Sequence, residues 1–358
     1  MQSSKIISGR AQPIAMVHVH SNNALSNTHY NSLFGVETYS SKELKWLTEI
    51  RKELLSLSKI TIEETGIDIL KYCRNASFIL KKQAIEELEK KICECAFVQH
   101  LIERALKEVE IYKRNGIKII EIENIGAPYF IGNEVPLEDL LIQLVVAKTI
   151  RKKFPEINIG VHILSSDELE SLPIAIASEA FFIRSESSVF KGLRPEGNTI
   201  NRGNLAKFYY LRNYLNTING VENPENRKLP AIWCDFQKKH TLFQPELNDL
   251  QKWLDNILFQ KIEGVVLTGA ETGSDIAEKD LAAARNSINK TKEKINQLAG
   301  YAVDIDIPLV TGSGNNIEMY CKYADFIISG TALKENNYWE NEVDEERVKK
   351  WLEKFDSK

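Results

Sequence analysis

The chain has 358 residues, with 46 lysine and arginine residues against 50 aspartate and glutamate residues, so its formal net charge is −4. With 43% hydrophobic and 27% charged residues, the composition is that of an ordinary globular protein. The near-neutral balance excludes a generally basic nucleic-acid binder, so we expect no polymeric nucleic acid as a partner. No run approaches the roughly 20 apolar residues of a membrane span, and we expect none.

The N-terminal segment and the cysteines favour a cytoplasmic protein. Residues 1–12 are polar and lack the apolar core of a signal peptide. The five cysteines are an odd number scattered along the chain, which indicates reduced thiols and no disulfide framework. Cys93 and Cys95 stand in a helical pattern, where positions two apart point about 200° from each other, so they do not form a natural metal pair.

Short apolar runs alternate with amphipathic helical stretches along almost the whole chain. Each run is nearly continuous in apolar residues, as expected of parallel strands that are buried on both faces. Eight such units predict an α/β fold, a closed (β/α)₈ TIM barrel that forms a single domain over residues 1–358. A doubly wound open sheet also alternates, but it usually has a glycine-rich first turn, which is missing here. The predicted strands are Ile14–Val19, Ile117–Glu123, Ile159–Leu164, Phe181–Ser185, Ala231–Phe236, Gly264–Thr268, Pro308–Thr311 and Phe326–Ser329.

A long and mostly helical segment separates the first two predicted strands. Its last part, Leu101–Asn115, fits the first barrel helix and ends at Asn115-Gly116 as a C-cap. The earlier part, residues 36–99, is then predicted to be a helical insertion at the C-terminal end of the first strand, where barrels have their active sites. This insertion is consistent with three roles: a lid, a contact with a homo-oligomer or protein partner, or a plain surface elaboration. The other predicted helices are Leu137–Lys153, Ser166–Ser178, Asn204–Leu215, Pro245–Phe259, Ala277–Leu298, Ile317–Tyr323 and Glu345–Phe355.

The loops after the last two strands have a composition typical of an anion site. Phosphate sites in TIM barrels are commonly built there from backbone N–H groups. The sequences TGSGNN (residues 311–316) and SGTALK (residues 329–334) supply glycines, which allow close approach, and hydroxyl donors. The alternative is that these glycines only form tight turns. The predicted substrate-binding residues are Asn124, Arg184, Thr268, Gly312, Ser313, Gly314, Gly330 and Thr331.

His18 and His20 are the sharpest metal candidates, because positions two apart in a strand project to the same face. Metal-dependent hydrolases with this fold add ligands on later strands. Here the sixth strand ends in Thr268-Gly269 and the eighth in residues 329–331, without a histidine or an aspartate. Because this ligand set is incomplete, the sequence assigns no metal and no cofactor, and a metal hydrolase stays a minor alternative.

Acid–base chemistry has better candidates at the ends of strands two and five. Glu123 and Asp235 end these strands, and carboxyl groups at the mouth of an apolar barrel can have raised pKa values. Lys239 and His240 follow the fifth strand, and His18 ends the first. The alternative for each is a solvated charge or a structural ion pair. His162 on the third strand is interpreted as a hydrogen-bonded residue of the barrel interior.

Several segments of the sequence are similar to the motifs of one known family and occur in the same order. The opening PIAMVH (residues 13–18) is similar to PxIGMVHL, and residues 102–130 to a helix followed by ENFGDAPF. AIWCDFQKKH (231–240) is similar to xWADVHVKH and GVVLTGAETG (264–273) to AVIVTGxATG, and residues 311–316, 323–334 and 343–351 continue the order. With these motifs the chain resembles the BtpA family, which includes a photosystem I biogenesis factor. The resemblance covers nearly all of the chain except the insertion and implies a TIM barrel.

The polar centre departs from the family pattern. The aspartate that follows Asn-Phe-Gly is missing after Gly126, Gln237 replaces a histidine, and Ser165-Ser166 replaces Arg-Asn. His20 and Glu186 stand where the family has proline and asparagine. The residues that keep their motif positions are Glu123, Asn124, Asp235, Lys239 and His240. The loops of the predicted anion site are retained while the polar centre is changed. This combination indicates a substrate different from that of other family members, or lost catalysis.

The leading hypothesis from these patterns is an enzyme that acts on a small phosphorylated metabolite, such as a sugar phosphate or nucleotide. The loops after strands seven and eight bind the phosphate, and Glu123 and Asp235 supply acid–base chemistry. Lys239 and His240 orient or polarise the substrate, and a lyase, isomerase or hydrolase all fit. The competing hypothesis, suggested by the family resemblance, is a non-catalytic assembly or stability factor whose helical insertion contacts partners.

Overall fold

The structure is a computed structural model in which eight parallel strands close into a barrel in sequence order. Strand β1 pairs with β2 on one side and with β8 on the other, which completes the ring. The predicted TIM barrel is therefore confirmed. The structure describes residues 11–20, 92–93, 95–125, 135, 137–164, 168–186, 205, 208–209, 212, 229–237, 250–252, 263–269, 274–299, 307–312, 314 and 316–356.

All eight predicted strands are present, with ends that differ from the predicted ones by a few residues. Their burial confirms that both faces of the sheet are covered, as the continuous apolar runs predict. The strands are β1 (Gln12–Val19), β2 (Ile119–Asn124), β3 (Asn158–His162), β4 (Phe182–Ser185), β5 (Ala231–Gln237), β6 (Val265–Thr268), β7 (Leu309–Gly312) and β8 (Phe326–Ser329).

Helices follow β1, β2, β3, β6, β7 and β8 in the expected alternation, whereas most of the predicted helices Asn204–Leu215 and Pro245–Phe259 lies outside the described residues. In the described residues they are α1 (Ala96–Arg114), α2 (Leu137–Lys153), α3 (Glu168–Ala177), α4 (Glu278–Ala299), α5 (Ile317–Tyr320) and α6 (Glu345–Asp356), with 3₁₀ turns at Thr331–Leu333 and Glu335–Asn337. The predicted cap of α1 is confirmed, since Gly116 has φ +89° and the Asn115 amide donates to the Ile111 carbonyl. No helix among the described ranges is both long and apolar enough to cross a bilayer.

Most of the predicted insertion over residues 36–99 lies outside the described residues. Residues 92–93 are helical, and α1 already begins at Ala96, ahead of the predicted start at Leu101. The last residues of that predicted segment therefore belong to the first barrel helix.

Alternate residues of each strand fill the inside of the barrel. Toward the N-terminal ends of the strands these residues are apolar and form one cluster, which includes Phe182, Trp233 and Phe326. The rings of Phe182 and Trp233 stack with centroids 3.9 Å apart, and a Cβ atom on Gly160 would lie only 2.0 Å from Phe182. This aromatic layer fills the lower part of the barrel, so the polar interior residues are confined to its C-terminal mouth.

Candidate functional site

The interior positions toward the C-terminal ends of the strands are polar and buried. The pairing register sets His18 beside Glu123, Glu123 beside His162, and His162 beside Arg184. These four residues therefore form one row across β1 to β4. Along each strand every second residue faces the barrel interior, so this row continues the interior positions that begin in the apolar layer below. The side chains that meet here, Glu121, Glu123, His162, Arg184, Glu186 and Asp235, are called the mouth cluster below.

His162 lies at the centre of three carboxylates of the mouth cluster. Its Nδ1 atom is 2.9 Å from Oε2 of Glu123 and 3.4 Å from Oε1 of Glu121. Its Nε2 atom faces Oε1 of Glu186 at 3.5 Å. Both ring nitrogens are thus directed at acidic groups. His162 is a hydrogen-bonded residue of the barrel interior, as expected, and it also connects three carboxylates.

Arg184 is held by two other carboxylates. Its Nε and Nη2 atoms donate to the two carboxylate oxygens of Asp235 at 2.9 and 3.0 Å, which is a bidentate pair. Its Nη1 atom donates to Oε1 of Glu121 at 3.3 Å. Glu121 therefore links the Arg184–Asp235 pair to His162, and the mouth cluster is one connected network.

The pKa directions describe an ionised network. Burial raises the pKa of Glu123, but the hydrogen bond and the charge of His162 outweigh burial and hold this pKa below its ordinary value. Burial lowers the pKa of His162, as does the charge of Arg184. The three glutamates that face its ring nitrogens outweigh both effects and raise the pKa of His162 well above its ordinary value. The expectation of a raised carboxyl pKa is therefore wrong for Glu123, because a cationic partner compensates for its burial.

Two predicted substrate-binding residues, Thr268 and Gly312, come together beside the guanidinium of a third, Arg184. A Cβ atom on Gly312 would lie 3.4 Å from Nη2 of Arg184 and 3.5 Å from Cγ2 of Thr268, which are ordinary contacts. The ends of β4, β6 and β7 thus meet at one place in the mouth. A larger side chain at Gly312 would occupy the space next to Arg184.

The other two glycines of the predicted anion loops have structural reasons of their own. Gly314 has φ +101°, in the left-handed region that favours glycine, and a Cβ atom there would lie 2.0 Å from the Tyr320 hydroxyl. A Cβ atom on Gly330 would lie 2.8 Å from Nε2 of His18. Thr331 begins a 3₁₀ turn and is half-buried. Substitutions at Gly314 or Gly330 would therefore disturb the fold whether or not an anion binds.

Asn124 lies on the other face of β2 from Glu121 and Glu123, by the alternation of the strand. Its side chain is fully buried, and its Oδ1 accepts a hydrogen bond from the backbone N–H of Leu164 at 2.6 Å. Asn124 thus fixes the start of the loop after β3 and stands outside the mouth cluster.

His18 and His20 are both buried, but they do not face each other as a pair of ligands would. Their ring centroids are 6.4 Å apart with planes at 82°. Nδ1 of His18 lies 3.2 Å from the Trp339 carbonyl and Nε2 lies 3.0 Å from Sδ of Met16, while the His20 ring stacks on Trp339. Within the described part of the chain, no group of three possible metal ligands includes either histidine.

These two histidines predict a loss of stability in acid. Burial lowers the pKa of His18 from 6.5 to about 4 and that of His20 to about 2, so the folded protein keeps both neutral. Stability is full above pH 6.5 and falls as the pH decreases toward 4, because the unfolded chain binds protons that the folded chain excludes. For His18 the loss is about 3 kcal/mol.

We expect His18→Gln to reduce the fall of the unfolding free energy between pH 7 and 4 by about that amount, as measured by urea unfolding. The exposed His100→Gln is the matched control and should keep the wild-type dependence. Identical pH dependence in His18→Gln and wild type would contradict the neutral, buried state of His18.

The segment that follows β8 crosses the end of β1 and is fastened to α1. Lys334 is fully buried and forms an ion pair with Glu108, and its own burial lowers its pKa. Arg104 donates to the carbonyls of Glu340 and Asn341 at 2.5 and 2.8 Å. These contacts hold Trp339 over His20, so this part of the mouth is closed by the chain itself.

Several expected site residues lie outside the described residues. They are Lys239 and His240 after β5 and Ser313 after β7. Sequence reasoning, in turn, misses Glu121, His162 and Glu186 as cluster members. For Glu121 and Glu186 the sequence does contain a signal. They stand two residues from Glu123 and Arg184, and residues two apart in a strand face the same side.

Comparison with known proteins decides the family. The model of the BtpA family matches residues 94–357. The chain belongs to the BtpA family. Two archaeal relatives carry no described activity. The relative from Methanocaldococcus jannaschii is 25% identical, and the match covers 70% of this chain and 84% of the relative. The relative from Pyrococcus abyssi is 28% identical, and the match covers 70% of this chain and 85% of the relative.

Solved structures similar to this BtpA-family protein include two TIM-barrel enzymes. Phosphoribosyl anthranilate isomerase from Thermus thermophilus has 10% identity and a TM-score of 0.41, covering 70% of this chain and 94% of that one. A dihydropteroate synthetase has 12% identity and a TM-score of 0.38, and the match covers 71% of this chain and 86% of the synthetase chain.

Proposed function

We propose that this BtpA-family protein is an enzyme that acts on a small phosphorylated metabolite, such as a sugar phosphate or nucleotide, at the C-terminal mouth of the barrel. The observation that carries the proposal is the burial of the mouth cluster. Moving a charge out of water costs several kcal/mol even when it is paired. Since the aromatic layer already fills the lower barrel, a second layer of buried charges points to function more than to stability.

Arg184 supports the binding of an anionic group. The bidentate bond from Asp235 fixes the plane of its guanidinium beside Gly312 and Thr268. In our proposal Arg184 borders the phosphate site, and backbone N–H groups of the loops after β7 and β8 take the phosphate itself. Asp235 is occupied by Arg184, so we assign it the positioning of Arg184, a change from the acid–base role that the sequence favours.

Glu123 is the carboxylate that we assign to proton transfer. It lies at the end of β2, is 7% exposed, and stands one interior position above the fully buried Glu121. The hydrogen bond from His162 holds its carboxylate in place and favours its charged form. His162 is thus a positioning residue, and Lys239 and His240 after β5 are proposed to orient the substrate. A lyase, an isomerase and a hydrolase all use such groups.

A thermal-shift screen against inorganic phosphate, sugar phosphates and nucleotides tests the proposal. A ligand at 100 times its dissociation constant should stabilise wild type by about 2.7 kcal/mol. Gly312→Val is expected to remove this shift because it fills the space next to Arg184, whereas Gly312→Ala makes only ordinary contacts.

Ala283→Val on the exposed side of α4 is the matched control and should keep the wild-type shift. A wild-type protein that no compound of the panel stabilises would contradict the proposal. That result would favour the alternative of a non-catalytic assembly factor that contacts partners through residues 36–99.

A further inference from the structure

We propose that Glu121, Glu123 and His162 bind one divalent transition-metal ion of the Mn²⁺ or Zn²⁺ class. The two glutamates stand two residues apart on β2 and project into the barrel together, and His162 faces them from the adjacent strand. One possible ligand atom from each of the three lies within 4.8 Å of the other two. All three side chains are buried, so a cation would be enclosed by protein.

A buried carboxylate oxygen of the group supports this site. The Glu121 side chain is fully buried, yet its Oε2 atom has no hydrogen-bond partner among the residues that the structure describes. Arg184 reaches only the other oxygen of this carboxylate, Oε1, at 3.3 Å. A buried carboxylate oxygen without a partner costs free energy, and a cation removes this cost.

The surroundings of His162 support the site independently. Histidines that bind metals almost always direct the other ring nitrogen at a carboxylate or a carbonyl, which orients the ring. Here Nδ1 faces the two glutamates of β2, and Nε2 faces Oε1 of Glu186 at 3.5 Å. Glu186 thus stands where the outer carboxylate of a carboxylate–histidine–metal arrangement would stand.

Charge and ligand chemistry identify the kind of cation. The mouth cluster holds the four buried carboxylates of Glu121, Glu123, Glu186 and Asp235 against the single guanidinium of Arg184, so a cation at the site reduces an excess of negative charge. Two carboxylates and one imidazole suit Mn²⁺, Fe²⁺ or Zn²⁺, whereas Ca²⁺ and Mg²⁺ prefer oxygen ligands alone. These residues differ from the His18 and His20 pair that the sequence suggests.

The inference shares the mouth cluster with the proposed function but does not need a phosphorylated substrate to be correct. When the ion is bound, the ring nitrogen of His162 that ligates it no longer donates to Glu123, and the ion holds this carboxylate instead. Each residue offers one ligand atom, so the second oxygen of Glu123 stays available for the proton transfer assigned to it. The cation and Arg184 would then both face an anionic substrate. Metal binding is therefore tested without any phosphorylated compound, and the ligand screen is repeated in EDTA, so that either proposal can fail alone.

The test is a titration of the full-length protein, treated with EDTA and then desalted, with Mn²⁺ followed by the electron paramagnetic resonance signal of the free ion. Zn²⁺ is then tested by competition. We expect one Mn²⁺ per chain, and we expect Glu121→Gln to weaken its affinity by at least about tenfold. Glu263→Gln, which changes a glutamate paired with Arg212 outside the mouth cluster, is the control and should keep the wild-type affinity.

Absence of saturable binding of both ions to wild type at millimolar concentration would overturn the inference. So would a Glu121→Gln protein that binds Mn²⁺ as tightly as wild type. Circular dichroism establishes that each variant is folded. If Glu121→Gln does not fold, His162→Asn and Glu123→Gln carry the same expectation and the same contradicting result.

Discussion

Replacement of Arg184 by leucine is expected to lower the unfolding free energy by about 3–5 kcal/mol, which is the usual loss when one member of a buried ion pair is removed. Arg184 is only 5% exposed, and it donates to both oxygens of Asp235 and to Glu121. Without it, two buried carboxylates lose their cationic partner. Urea unfolding at neutral pH measures the loss.

Two further variants make this result specific to the buried network. Arg184→Lys keeps the charge but loses the bidentate geometry, so we expect a smaller loss of stability. Arg114→Leu breaks an exposed ion pair with Glu345 and should leave the unfolding free energy close to that of wild type. An Arg184→Leu protein within about 1 kcal/mol of wild type would show that the carboxylates find other partners.

The sequence predicts the barrel because the eight apolar runs and the intervening helices are local patterns. Even the cap at Asn115-Gly116 is predicted, since a helix end depends on residues that are close together in the chain. The ends of the strands are less well predicted. Burial on both faces removes the alternation that would mark them.

The same loss of alternation limits what the sequence shows about the site. In β2 every residue is buried, so burial does not distinguish Glu121 from Asn124, and only the spacing of two residues from Glu123 favours Glu121. The pairing register decides it, because Glu121 and Glu123 face the barrel interior while Asn124 faces Leu164. The contact of Arg184 with Asp235 likewise depends on the direction of a long side chain, which strand patterns do not determine.

The glycine loops illustrate a different limit. From the sequence, Gly312, Gly314 and Gly330 are equal candidates for an anion site. Only the structure shows that Gly314 adopts a positive φ angle and that Gly330 packs against His18, while Gly312 borders Arg184. Gly312 is therefore the position where substitution tests binding with the least disturbance of the fold.

The burial of the mouth cluster also connects stability with function. Its charges are paired within the barrel, yet such pairs are often no more stabilising than apolar residues of similar size. The expected cost of removing Arg184 thus measures how strongly the network depends on each member. Catalysis by the network is tested separately, by the measurement of turnover.

The most direct test of the central claim, that Glu123 in the mouth cluster transfers a proton, is the turnover of the phosphorylated compound that stabilises the protein most. Product formation by wild type and Glu123→Gln is followed by nuclear magnetic resonance, with and without Mn²⁺, and Glu263→Gln is the control. We predict that wild type and the control form product and that kcat of Glu123→Gln is lower by about 10²–10⁴-fold, while the compound still stabilises the folded variant. Equal kcat values for wild type and Glu123→Gln would contradict the account.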